Sequence, residues 1–155
     1  MDRVLIGGEF LGAVVREIRG ASVSVWVCMY EWCWYEGQRT GTVQDINREL
    51  CIRSKAKADV RVLLHSEAMG RHIYKINRKC AGHLERHGVK VKWGNTGRTN
   101  HAKVWIFDGT RAIIGSHNIS TRAVKSNVEV SAITTDVEAV GRLVEWYGEL
   151  WAKGL

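Results

Sequence analysis

Residues 100 to 118, NHAKVWIFDGTRAIIGSHN, gather chemically capable side chains in a stretch that alternates like two short strands joined at Asp108-Gly109. In an extended chain, side chains two apart share a face. His101 and Lys103 then point one way, and Ser116 and Asn118 share a face if the chain is still extended there. Asn127 and Glu129 form a third such pair on the next strand. An imidazole can attack as a nucleophile or carry a proton. A Lys ammonium, an Asn amide and a Ser hydroxyl donate hydrogen bonds to anionic oxygens. A Glu can orient a His and set which ring nitrogen attacks. Converged on one point, these groups suit phosphoryl transfer without a metal, the donors supplying the charge stabilisation a cation would otherwise give.

The elements that must position them follow from periodicity. Residues 9 to 19 carry Phe10, Leu11, Val14, Val15 and Ile18 on one helical face, and SVSVWVCMY (22 to 30) is a buried strand. Thr42 can cap a helix bearing Val43, Ile46 and Leu50; VRVLLH (60 to 65) is a second buried strand. A helix from about 68 to 87 turns Met69, Ile73, Ile76, Cys80 and Leu84 inward, and VKVKW (89 to 93) alternates as a strand. Strands at 102 to 107 and 111 to 115 flank the DG turn, and 127 to 134 is a further strand. A last helix, 136 to 153, presents Val137, Val140, Leu143, Val144, Tyr147 and Trp151 to the core. This order predicts a mixed-sheet α/β/α sandwich. With no proline, repeat or linker-like stretch, residues 1 to 155 read as one domain.

Hydrophobic content of 45% and charged content of 25% are those of a globular protein, and no run of about 18 apolar residues could span a membrane. The N-terminus is too charged for a signal peptide, so a cytoplasmic location is expected. The net charge of +7 is unevenly spread. Residues 48 to 103 hold 14 Lys and Arg against 4 Asp and Glu, whereas the remainder holds 9 against 12. A basic middle suits a polyanion, nucleic acid first and an anionic membrane second, although a merely basic surface has the same composition.

The offsets then carry a resemblance. His101-Ala-Lys103, four residues, Asp108, six residues, and Gly115-Ser116-His117-Asn118 match the HxKx4Dx6GSxN signature of the phospholipase D superfamily. The order of elements around the motif resembles that family over essentially the whole chain. The family uses two motif copies per active site, and this chain has one. The resemblance therefore implies a homodimer with the site across its two-fold axis. It implies that His101 of one subunit forms a phosphohistidine while the second His101 protonates the leaving oxygen, a coupled titration. Lys103 and Asn118 would hold the nonbridging oxygens, Ser116 would support them, and Glu129 would orient His101. No cofactor is implied. Asp108 belongs to the pattern, but at odd spacing and in a turn it reads as chiefly structural. His117 fills the variable position of GSxN and should face away from Ser116, as a packing or substrate-edge residue.

Trp32, Trp34 and Tyr35 follow the first strand and could stack on bases, rest against lipid or pack an interface. Cys80, His83 and His87 recur at helical spacing, with Cys51 or His72 as a further zinc ligand. No CxxC or HExxH spacing supports that set, so no metal is expected. The four cysteines are expected to be free. The reading favoured by charge is a metal-independent endonuclease of nucleic acid, with little base specificity. A phospholipase or cardiolipin hydrolase is the alternative, and a nuclease subunit of a larger restriction-type enzyme or a non-catalytic nucleic-acid-binding dimer are others.

Overall fold

The computed structural model describes residues 3–37 and 43–155. Among these residues, seven strands form one mixed sheet in the order β1-β7-β6-β5-β2-β3-β4. These are β1 (Arg3–Ile6), β2 (Ser24–Met29), β3 (Asp59–Leu64), β4 (Lys90–Trp93), β5 (Lys103–Phe107), β6 (Arg111–Gly115) and β7 (Val130–Thr134). β2, β3 and β4 are mutually parallel, and every other pairing is antiparallel. The parallel half needs crossover helices, which are α2 (Val43–Lys55) and α3 (Arg71–Arg86).

Alternation decides the layers. In β2, Val25, Val27 and Met29 join a core with Phe10, Val14 and Ile18 of α1 (Glu9–Gly20) and with Ile46, Leu50, Cys80 and Leu84 of α2 and α3. Cys28 between them turns to the opposite face, against Tyr147 of α5 (Val137–Lys153). The α/β/α sandwich is therefore as expected. Its two sides are unequal: α5 covers β5, β2 and β3 and reaches the start of β6, where Ala112 is buried, and it leaves β1, β7 and the end of β6 bare on that face. Register puts Val4, Ala132 and Ile114 in one row and Ile6 and Val130 in the next. All five are exposed, while Leu5 and Ile133 beside them are buried under α1.

Four expectations change. β1 is a strand that sequence periodicity did not suggest, too short at four residues to show an alternation. The expected 68-to-87 helix is a 3-10 turn (Glu67–Met69) followed by α3, because Gly70 between them is extended (φ 161°). The strand expected from 127 starts at Val130, since α4 (Thr121–Lys125), begun by Ser120 Oγ accepting from Ala123 N, delivers the chain late. Val137 is exposed rather than inward, because it opens the first turn of α5 next to its Asp136 cap. Thr42 and the side chain of Met69 lie outside the described residues.

Candidate active site

β5 lies between β2 and β6 and is antiparallel to both, so those two run parallel to each other. Beyond the first residue of β5 their continuations close on one another: Trp32 bridges Ile119, Ile119 N donates to Glu31 O at 3.0 Å and Cys33 N to Ile119 O at 2.8 Å. The segment carrying His101 is thus expelled at the mouth of the sheet, at the carboxyl ends of β2 and β3, where parallel pairing changes to antiparallel. Switch points of this kind are where open α/β sheets form crevices.

His101 is exposed there, and Lys103 is buried behind it. Lys103 Nζ donates to His101 O at 2.7 Å and sits 3.2 and 3.3 Å from the two ring nitrogens. Both groups are held toward their neutral forms. Burial lowers the His101 pKa, and the adjacent ammonium lowers it further. Burial likewise lowers that of Lys103, against the opposing pull of Glu129 and Glu31. A neutral imidazole keeps a lone pair, which a nucleophile requires.

Tyr30 walls the pair in. Its ring centroid is 4.6 Å from that of His101, 5.1 Å from that of His65 and 5.0 Å from Lys103 Nζ. Tyr30 is placed by Asn77, wholly buried in α3, which donates to Tyr30 O at 2.9 Å and accepts from Trp32 N at 2.8 Å. Asn47 of α2 accepts from Trp32 Nε1 at 2.9 Å and donates to Gln44 Oε1 at 2.9 Å. Sequence reasoning missed Tyr30, Asn77 and Asn47. The available signal was an amide on the inward face of each helix, next to Cys80 and Ile46.

Ser116 and Glu129 meet at the same end of the sheet. Ser116 Oγ donates to Glu129 Oε2, and Asn127 Nδ2 donates to Oε1 at 3.1 Å. Asn118 is half-buried, and its Oδ1 has no hydrogen-bond partner among the described residues. Gly115 is required by close approach: a Cβ there would lie 2.5 Å from Ser131 Cα. Ser131 then hydrogen-bonds His117, whose buried ring stacks on Phe10 at 4.2 Å. Its Nε2 donates to Gly7 O at 3.1 Å, so Nδ1 accepts from Ser131 Oγ at 2.8 Å. His117 is a packing residue that faces away from Ser116.

Asp108 holds a turn, and the expectations for Trp32, Trp34 and the zinc set are corrected. Asp108 lies at the opposite end of β5 from Lys103, in a turn where both Asp108 (φ 51°) and Gly109 (φ 63°) are left-handed. Its carboxylate accepts from the backbone N–H of Ser22, Val23 and Ser24 at 2.9, 2.8 and 2.7 Å. Burial pushes its pKa up, but those amides outweigh burial and hold it low. Trp32 is fully buried between Asn47 and Trp105, out of reach of substrate, because its indole N–H found an internal partner. Trp34 stacks on His83 at 4.1 Å instead of facing the site. In the candidate zinc set, Cys80 is buried toward Asn47, and Cys51 takes its place beside His83 and His87.

A cleft of about 480 Å³ opens beside His101. Trp146 and Leu150 of α5 form its apolar side, and Arg98, Asn100 and Lys153 its polar one.

Residues 14–151 match the family described as "Cardiolipin synthase, PLD-like domain". The chain belongs to the phospholipase D-like family. Within that family it is 33% identical over 101 residues to cardiolipin synthase 2 of Bacillus anthracis, and 29% identical over 98 residues to a cardiolipin synthase of Listeria monocytogenes. Those alignments take in 65% and 63% of this chain but 20% of either relative, so the chain spans about a fifth of their length. In fold it is similar to Nuc, a phospholipase D family member from Salmonella typhimurium (TM-score 0.80, 20% identity, 100% of this chain and 97% of that one). NucT from Helicobacter pylori gives a TM-score of 0.82 at 20% identity, over 100% and 98% of the two chains. At such identity the likeness concerns the phospholipase D-like fold.

Proposed function

We propose that the protein is a metal-independent phosphodiesterase that cuts nucleic acid internally, with one active site completed by two copies of the chain. The observation that carries the chemistry is an exposed His101, its pKa lowered by burial and by the adjacent ammonium, backed by the buried Lys103. His101 attacks phosphorus, forming an N–P bond as the P–O bond to the leaving strand breaks. His101 of the partner subunit gives its proton to that oxygen. Water then attacks phosphorus, its proton passes to the same partner histidine, and the N–P bond breaks. Lys103 and Asn118 hold the nonbridging oxygens. Glu129, held by Ser116 and Asn127, acts on the Lys103 ammonium rather than orienting His101 as expected from sequence.

The dimer reading is supported by the bare sheet face. Val4, Ile6, Ile114, Val130 and Ala132 are contiguous, and Gly7 N donates to Glu129 O at 3.1 Å where that face meets the site. An apolar face of this kind is a self-complementary surface for a two-fold mate. Nucleic acid is favoured as substrate by the basic run from 48 to 103 and by Arg98 and Lys153 at the cleft. The names of Nuc and NucT point the same way. A phospholipid is the second reading, favoured by the apolar wall of Trp146 and Leu150 and by the relatives named cardiolipin synthases. The test is cleavage of plasmid and single-stranded RNA in EDTA, alongside release of phosphatidic acid from vesicles. Nicking or cutting by wild type and not by His101→Asn supports the nuclease. Phosphatidic acid without cutting supports the lipid enzyme, and no cutting by an intact dimer sinks the nuclease.

A further inference from the structure

Away from the catalytic end, α2 and α3 bring a second set of chemically capable groups together. Cys51 of α2, His83 of α3 and His87 at the end of α3 have one ligand atom each within 4.8 Å of the others. Cys51 Sγ lies 3.9 Å from His83 Nε2. His87 Nδ1 lies 2.8 Å from His83 O. A carbonyl oxygen only accepts, so Nδ1 carries the hydrogen and Nε2 of the neutral ring keeps its lone pair. That is the arrangement by which metal-bound histidines have their tautomer fixed. The Trp34 ring, stacked on His83, fixes its plane.

The surroundings narrow the ligand. A cleft of about 290 Å³ opens on the cluster, with Arg48 and Lys55 among its lining residues. Arg48 is paired with Asp45, and the Lys55 charge opposes a hard cation held by Coulomb attraction alone. An ion that forms strong bonds to sulfur and imidazole overcomes it. One thiolate and two imidazoles form a donor set suited to zinc.

We propose that Cys51, His83 and His87 bind one zinc ion, with water in the fourth position, as a staple between α2 and α3. The thiol proton is released to solvent as the S–Zn bond forms. Bonds of about 2.3 Å to sulfur and about 2.0 Å to nitrogen draw the three atoms together by roughly 1 Å, within the reach of side-chain rotation. None of the residues named around this cleft borders the one at His101, so the ion takes no part in phosphoryl transfer and this site does not depend on that reading.

The full-length chain, reduced, stripped with EDTA and freed of chelator, is titrated with zinc against a chromophoric chelator, and in parallel with cobalt. The expected result is one zinc per chain at about micromolar affinity or tighter, a raised thermal midpoint, and a thiolate-to-cobalt charge-transfer band. Cys51→Ser and His83→Asn each weaken zinc by at least about 10- to 100-fold, whereas Cys80→Ser and His101→Asn bind as wild type. Zinc bound undiminished by Cys51→Ser, or a cobalt complex without the thiolate band, overturns the proposal. The band is read on wild-type protein, so the test stands even where a variant fails to fold.

Discussion

His101 and Lys103 are two residues apart, and the second tunes the first. A positive charge beside an imidazole disfavours imidazolium, so Lys103→Met should raise the His101 pKa toward the ordinary value near 6.5. An NMR titration of the His101 ring in both proteins reads this directly, and an unchanged or lowered value would refute the coupling. Loss of the proposed nucleophile is a separate matter: His101→Asn should cut turnover by about 1,000-fold or more, measured on a fluorescent oligonucleotide. Asp108 belongs to the same motif and should behave differently. Asp108→Ala removes the acceptor for three amides at the entry to β2, so it should cost about 1–3 kcal/mol in urea unfolding. The purified, folded variant should keep most of its turnover.

The elements position these residues through a few buried amides and one glycine. Asn77→Leu strands Trp32 N and Tyr30 O without their partners and frees the wall of the site. A loss of about 1–3 kcal/mol in stability, with turnover reduced more than substrate affinity, is the expected result from denaturation and steady-state kinetics. How legible all this was in the sequence depended on the kind of contact. Offsets within 101–118 mark His101, Lys103, Ser116 and Asn118 because the motif's spacing is local in the chain, although only Lys103 lies within a strand. The sandwich was legible too, because its long helices and its alternating or continuously apolar strands carry a clear pattern, whereas the five-residue α4 does not. Tyr30, Asn77 and Asn47 were not, since their link spans 45 or more residues between Asn77 and segment 30–32 and leaves no local pattern. Trp32 misled for a related reason: an indole reads as a stacking platform until its N–H is seen to reach Asn47. The short β1 was hidden because its stability comes from pairing with β7, at the other end of the chain.

At the scale of the whole molecule, the proposed pairing and the charge of the fold each make a prediction. Ile6→Lys with Val130→Lys should yield monomers in sedimentation and remove phosphodiesterase activity while far-UV dichroism stays native; an active monomer would refute the shared site. Stability should also fall on acidification. Burial depresses the pKa of His117 below its model-peptide value of 6.5, so the unfolded chain binds a proton that the native ring resists. That contribution is whole above about pH 6.5 and is lost as the pH drops toward the folded value. Wild type should therefore lose more between pH 7.5 and pH 5 than His117→Gln, in urea midpoints taken at each pH.

The bare third of the sheet has a kinetic consequence. When half of an active site is carried on a surface that must find its own copy, the yield of working enzyme rises as the square of chain concentration under dilute conditions. Under the proposed two-copy site a newly made chain is inert until others accumulate, and specific activity measured on serial dilution should decline with a midpoint equal to the dissociation constant of the pair. Such a threshold would hold a broad phosphodiesterase harmless while it is scarce.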